Sequence, residues 1–240
     1  KRDKHTYKGM FKYDYLDSLD YDFSKIHSSG AKADKDYYPM LPIHIGVDWG
    51  ANINCLVVAQ HLKSINQINV IKDFYVKNDT YRPMFDSFCD YYKDHSHKVI
   101  NFHYDPQGNK KTPNSKKTFA QEAASIMRKH GWTVNMISLG GAYTRHAVKY
   151  DLLCEIFSEI KSKYPIIRLN LLSARKTVIS IENSKLRIGD SFEKDKRDES
   201  KAKLDQSETT HFSDAFDNII VNICGNLKYT SSGRSHGIII

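Results

Sequence analysis

Ile43-His44-Ile45-Gly46-Val47-Asp48-Trp49-Gly50 is an apolar run that ends on an aspartate set between glycines. Ile43 to Asp48 reads as a short β-strand. An aspartate closing such a strand is costly if it is buried alone, so Asp48 calls for a partner or a metal ion. Gly46 and Gly50 let another stretch of backbone approach closely. The plainer reading is a turn aspartate after a strand.

Working outward, Asn54 to His61 and Gln67 to Val76 read as a second and a third strand. Short turns separate the three, which suits an antiparallel meander. A helix is predicted from Tyr81 to Lys93, with Pro83 tolerated in its first turn. Lys98 to Tyr104 is a fourth strand, and it delivers Asp105 into the turn composition Pro106-Gln107-Gly108. Further helices are predicted over Thr118 to His130, Tyr143 to Lys163 and Ala174 to Glu182. Further strands are predicted over Trp132 to Leu139 and Ile166 to Leu171. Thr210 to Cys224 is the closing helix. Phe212, Ala215, Phe216, Ile219, Ile220 and Ile223 form its apolar stripe, and Thr209 or Thr210 is its candidate cap. This order predicts an α/β protein of the RNase H-like fold, a mixed central β-sheet flanked by α-helices.

In that order the first and fourth strands lie side by side. Asp48 and Asp105 then share one sheet edge, although a plain turn role fits Asp105 taken alone. Asp214 and Asp217 are three residues apart on the closing helix and share a face. The helix dipole also favours carboxylates there, which is a structural reason for them. The apolar stripe beside Asp214 sets its helix against the sheet, within reach of the same edge. Asp217 is a further, weaker candidate. Hard oxygen ligands gathered at one point bind Mg²⁺ or Mn²⁺, and two such ions drive phosphodiester hydrolysis. His211 is a candidate for proton transfer or for a hydrogen bond beside the site. A structural role at a helix start is its alternative.

The chain has 240 residues, enough for one good core. Lys plus Arg is 36 and Asp plus Glu is 28, a net charge of +8 that suggests a polyanionic partner. Part of it lies in Ser184 to Gln206, a stretch without a core-facing period that reads as a basic hairpin or mobile loop. Lys185, Arg187, Lys194, Lys196 and Arg197 of that stretch are candidates for contact with DNA phosphates. A solvated charged hairpin is the alternative. Cys55, Cys89, Cys154 and Cys224 form no C-x-x-C pair and read as small core residues of a reducing compartment. No apolar run is long enough for a membrane span, and no signal peptide is apparent. No P-loop motif occurs. Residues 1–42 are polar with scattered aromatics and read as a linker or docking arm. Residues 43–225 form the expected domain, and residues 226–240 a Ser/Gly-rich tail.

Gly46-Val47-Asp48-Trp49-Gly50, Tyr104-Asp105-Pro106-Gln107-Gly108 and His211-Phe212-Ser213-Asp214-Ala215-Phe216-Asp217-Asn218 together resemble the acidic motifs of one family. It is the C-terminal nuclease domain of the large terminase subunit of tailed bacteriophages. The Lys194-Asp195-Lys196 loop with Glu199 is similar to that of several members. The resemblance spans about Ile43 to Cys224. It implies a metal-dependent DNA endonuclease that cuts concatemeric viral DNA during genome packaging by a two-metal-ion mechanism. Asp48, Asp105 and Asp214 would be the ligands of two divalent ions, Mg²⁺ or Mn²⁺. The partners it implies are double-stranded DNA, an ATPase domain of the same full-length chain, the small terminase subunit and the portal, in the host cell cytoplasm. A glutamate stands at the second position in some members, and the fourth acidic position varies.

Three rivals remain open at this level. Another RNase H-like nuclease, of the resolvase or transposase kind, shares the fold. Kinases of the actin and sugar-kinase type also open on Gly-Val-Asp-x-Gly, but usually continue with Thr or Ser where Ala51-Asn52 stand here. A non-catalytic DNA-binding or docking module of a packaging motor fits the charge equally well.

Overall fold

β1 (Ile43–Trp49) and β2 (Ile53–Leu62) pair antiparallel through a tight turn, with Val47 opposite Leu56 and Asp48 opposite Cys55. β3 (Gln67–Lys77) completes the meander on the far side of β2. The turn before β3 closes on Asn66 in the left-handed region, φ 48°, which asparagine tolerates better than most residues. In this computed structural model the described residues are 37–50, 52–111, 116–138, 146–170, 173–185, 187, 193–201 and 203–229. Residues 1–36 of the expected arm, the Gly140-Gly141 pair and the tail from residue 230 lie outside them.

β4 (Val99–Tyr104) runs parallel to β1, and β5 (Thr133–Ser138) runs parallel to β4. β6 (Ile166–Leu169) adds a parallel strand beside β3. The sheet order is β5-β4-β1-β2-β3-β6. This is the mixed sheet of the RNase H-like fold expected from the sequence, extended by β6.

The period of two along the strands sorts the side chains into two apolar layers. Ile43, Ile45 and Val47 of β1 join Ile100 and Phe102 of β4 beneath α1 (Arg82–Tyr91) and α2 (Phe119–Lys129). Cys55, Val57 and Ala59 of β2 face the other way, beneath α3 (His146–Ser158), α4 (Arg175–Asn183) and α5 (His211–Tyr229). β2 is buried on both faces, which is why its sequence runs almost continuously apolar. α2 starts on a capping box, Thr118 with Gln121.

Several boundaries move. α3 ends at Ser158, short of the expected Lys163, because Glu159 takes a left-handed conformation, φ 54°, and pairs with buried Arg168 at 2.7 Å. α5 runs past Cys224 to Tyr229, since one glycine at Gly225 costs a helix only about 1 kcal/mol. Residues 37–42, read as the end of the arm, pack on the domain. Tyr37 is buried in the α1/α2 layer, and the buried Gln60 amide bonds the backbone of Tyr38 and Leu41. The two arms of the basic stretch are tied by backbone bonds, Arg187 N–H to Glu193 C=O and Asp195 N–H to Lys185 C=O, both 2.7 Å. Among the described residues no helix is long and apolar enough to cross a membrane.

Candidate active site

Val47 stands beside Tyr104 in the parallel β1–β4 register, so Asp48, next on β1, and Asp105, the residue just after β4, follow side by side. Asp105 then caps the short turn Pro106–Asn109, its Oδ1 accepting the Gln107 N–H at 3.1 Å. α5 brings the remaining acids. It lies so close over β1 that a Cβ on Gly46 would stand 2.0 Å from the Ala215 carbonyl oxygen. No other residue type permits that approach. Asn218 fixes the crossing by donating its side-chain N–H to the Val47 carbonyl at 3.1 Å. The start of α5 is capped from outside, because the Ser213 N–H donates to Ser180 Oγ of α4 at 2.8 Å. Thr210, a candidate cap from sequence, donates its hydroxyl to Glu199.

His211, the first residue of α5, donates from Nδ1 to Asp48 Oδ2 at 2.8 Å. Burial works against its imidazolium, but the hydrogen bond and charge of Asp48 outweigh this and hold its pKa above the ordinary histidine value. Asp105 is pushed above the usual carboxylate range, first by burial and then by the charges of Asp48 and Asp214. The three acids therefore act on one another across this edge.

Asp214 and Asp217 carry their own cations. Lys194 reaches from the basic hairpin to Ser213 Oγ and Asp214 Oδ1, both at 2.9 Å, and to Asp217 Oδ2 at 2.6 Å. Lys196 donates to Asp214 Oδ2 at 2.6 Å, and Lys149 of α3 stands 3.0 Å from Asp217 Oδ2. Burial would raise the Asp214 carboxyl, but the three lysines win and hold it far below the usual range. Asp217 is wholly buried.

The five basic candidates of the hairpin divide. Lys185, Arg187 and Arg197 are exposed, Arg197 bonding back to Asp195. Lys194 is buried, its ammonium spent on the α5 acids. Lys196 lies between, with an exposed stem and a committed tip. Lys149 was missed from sequence. The signal was there: it precedes Leu152, Leu153 and Ile156 by three, four and seven residues, on the stripe that faces the core.

Among the described residues no three His, Cys, Asp or Glu side chains close tightly enough on one point to form a metal-holding group. The donor chemistry nonetheless suits a hard divalent ion, with carboxylate oxygens from three elements near one edge.

No family model matches the sequence, and no curated protein matches it. Similar solved structures include large terminase nuclease domains of several phages. One is a variant nuclease domain of the large terminase subunit gp2 of bacterial virus Sf6, with manganese and beta-thujaplicinol. It is 9% identical, with a TM-score of 0.49 over 88% of this chain and 97% of that one. Another is the large terminase nuclease of thermophilic phage G20c with bound magnesium, 12% identical, TM-score 0.43, over 76% of this chain and 84% of that one. A large terminase from a further thermophilic bacteriophage, in complex with ATP-gamma-S, is 13% identical with a TM-score of 0.48. The match covers 78% of this chain but only 41% of that longer one.

Proposed function

We propose that this chain is the nuclease domain of a phage large terminase, a metal-dependent endonuclease that cuts concatemeric viral DNA during packaging. The observation that carries the reading is the delivery of Asp48, Asp105 and Asp214 by β1, β4 and α5 to one sheet edge. The acidic motifs in which they lie support it. Asp48, Asp105 and Asp214 would hold two divalent ions, Mg²⁺ or Mn²⁺. Bound there, such ions polarise a phosphodiester and make water a nucleophile at neutral pH.

The chain's own residues supply the rest. β1 and the Gly46 crossing fix Asp48 against α5. His211 orients the Asp48 carboxylate and holds a proton at Nδ1. Lys194 and Lys149 neutralise Asp217 beneath the site, so Asp217 serves as their anchor. Lys196 has to leave Asp214 Oδ2 before that oxygen can face an ion. Its half-exposed stem allows the swing, and a DNA phosphate is a natural second partner for it. Lys185, Arg187 and Arg197 present the hairpin's charge to the duplex backbone, which positions DNA without reading its sequence. Residues 43–225 form the nuclease unit in this reading, and residues 1–42 lead towards an ATPase domain. The small subunit and portal are its partners in the host cytoplasm.

Plasmid cleavage by the purified chain with Mn²⁺, Mg²⁺ or EDTA tests this, beside Asp48→Asn and Asp214→Asn. Metal-dependent cutting is expected, falling at least about 100-fold in each variant, the upper end of what loss of an outer ligand-orienting group costs. Cutting that survives both substitutions would sink the assignment of the site. The second reading, a DNA-binding module that does not cut, is favoured by the two lysines that occupy Asp214. DNA binding without cleavage under either metal would select it.

A further inference from the structure

An open cavity of about 590 Å³ lies between the start of α1 and α2, on the sheet face away from α5. Tyr81, Phe119 and Ile126 supply aromatic and apolar wall. Glu122 accepts a hydrogen bond from the Tyr81 hydroxyl. Arg82, Lys117 and Lys129 are exposed around it, and Lys117 also donates to Ser125 Oγ at 3.2 Å.

The cavity adjoins the acidic edge through Trp49. Trp49 follows Asp48 and points to the opposite face of the sheet. The Phe119 ring stacks on it at 5.9 Å and 29°, and the Tyr81 ring meets it edge-on at 5.3 Å. Gly108 of the turn after Asp105 packs on the same indole: a Cβ there would stand 3.3 Å from Trp49 Nε1. Trp49 thus joins Asp48 and the turn after Asp105 to the two aromatic residues that line the cavity.

Its chemistry has three parts. Aromatic faces accept a stacked base. A carboxylate beside them accepts a base N–H. Three cations suit phosphate. A paired duplex would offer its phosphates and groove edges, but no base face to stack on an aromatic ring. We propose that this cavity binds an unpaired nucleotide of the DNA strand next to the cut, its base against Phe119 and Tyr81 and its phosphates at Lys117, Lys129 and Arg82. The inference rests on the nuclease reading and gives it a preference for DNA that can expose a base near the cut.

The test is binding in EDTA, by fluorescence anisotropy of a labelled single strand of about 12 nucleotides, a length within the usual range of single-strand sites. A matched duplex is measured alongside over a salt series. Phe119→Leu is expected to weaken single-strand binding about 10-fold with no change in salt slope, because stacking releases no counterions. Duplex binding should hold. The double variant Lys117→Ala/Lys129→Ala should instead lower the single-strand salt slope by about 1.4, at roughly 0.7 per phosphate contact. These two lysines are exposed, so this arm stands even where Phe119→Leu perturbs packing against Trp49. Unchanged single-strand affinity and slope in both variants would overturn the proposal. So would an equal loss for duplex and single strand in Phe119→Leu. Competition by dAMP that disappears in Phe119→Leu, with strand binding unaffected, would reassign the cavity to a free nucleotide. Cutting is read separately through Asp48→Asn, so a chain that binds strands here but never cuts defeats only the nuclease reading.

Discussion

Two pairs of aspartates meet at this edge, and Asp105 of one pair is shifted oppositely to Asp214 of the other. Asp48 and Asp105 end neighbouring strands, and Asp105 is pushed up by burial and by the charge of Asp48 and Asp214. Asp214 and Asp217 lie on α5 with at least equal burial, yet Asp214 is driven down by Lys194, Lys196 and Lys149. The difference arises from what reaches each pair. The strand pair meets backbone N–H groups and one imidazole, whereas the helix pair meets ammonium groups from α3 and the basic hairpin. Negative charge is thus met by ammonium groups on the helix, and by an imidazole and backbone N–H groups on the strands.

Asp217→Ala breaks this contrast most severely. It strips Lys149 and Lys194 of a shared, wholly buried acceptor. Removing one partner of a buried ion pair costs about 3–5 kcal/mol, because the surviving charges stay buried. Urea unfolding at neutral pH should show a loss of that size. A loss below about 1 kcal/mol would mean that the lysines find other acceptors, and that the helix pair is less bound to them than its geometry says.

Gly46→Ala attacks the contact that joins the two pairs. Its Cβ would collide with backbone, the Ala215 carbonyl, and with Ile219 Cγ1 at 2.7 Å. Neither can yield without moving α5 off β1. Overpacking of this kind costs about 3 kcal/mol, the upper end of its usual range. Asp214 should also withdraw from Asp48, so cutting should fall further than the lost stability explains. A variant as stable as the parent would show that α5 shifts along the strand at little cost.

The fold was legible because each strand of the meander is a short apolar or alternating run and the turns between them are short. That order alone puts Asp48 beside Asp105, and the strand register has them there. Gly46 was legible as a close approach, though not as an approach to Ala215. The lysines were not. A run such as Lys194-Asp195-Lys196 looks solvated from sequence, and nothing local says that Lys194 turns inward. Asp73 was invisible for a different reason. It sits on β3, yet its Oδ2 accepts the Lys176 and Thr177 N–H groups at 2.7 and 3.1 Å, capping α4 from more than 100 positions away in sequence. Caps are local signals only when one segment supplies both halves.

Asp73 sharpens the comparison as a half-buried acid bonded to amides and a hydroxyl. Burial pushes its carboxyl up to about 6, although these bonds and the charge of Lys72 pull the other way. A folded pKa above the unfolded value of about 3.9 means that the native state binds the extra proton. Its contribution is therefore fully present below about pH 4 and is lost as pH rises through about 6, by roughly 2–3 kcal/mol. Asp73→Asn should remove that slope. Urea midpoints of parent and variant at intervals from pH 4 to pH 7 would show a difference that drifts across the window. A constant difference would mean that the helix N–H groups keep Asp73 as acidic in the fold as in the unfolded chain.

The smallest effect on stability is expected at Lys196→Ala. The stem is about half exposed, and among the described residues the ammonium reaches Asp214 Oδ2 and, at 3.7 Å, Glu199. Exposed pairs of this kind contribute under about 1 kcal/mol. The informative readout is the affinity for Mn²⁺, measured calorimetrically without DNA. If the lysine holds an oxygen that an ion needs, its loss removes a competitor, and Mn²⁺ should bind several-fold more tightly. Lys194→Ala should not act alike, because Lys194 also holds Asp217 and the start of α5. Weaker Mn²⁺ binding in Lys196→Ala would mean that the ammonium arranges Asp214 for the ion, and that the charge on the helix pair is part of the site.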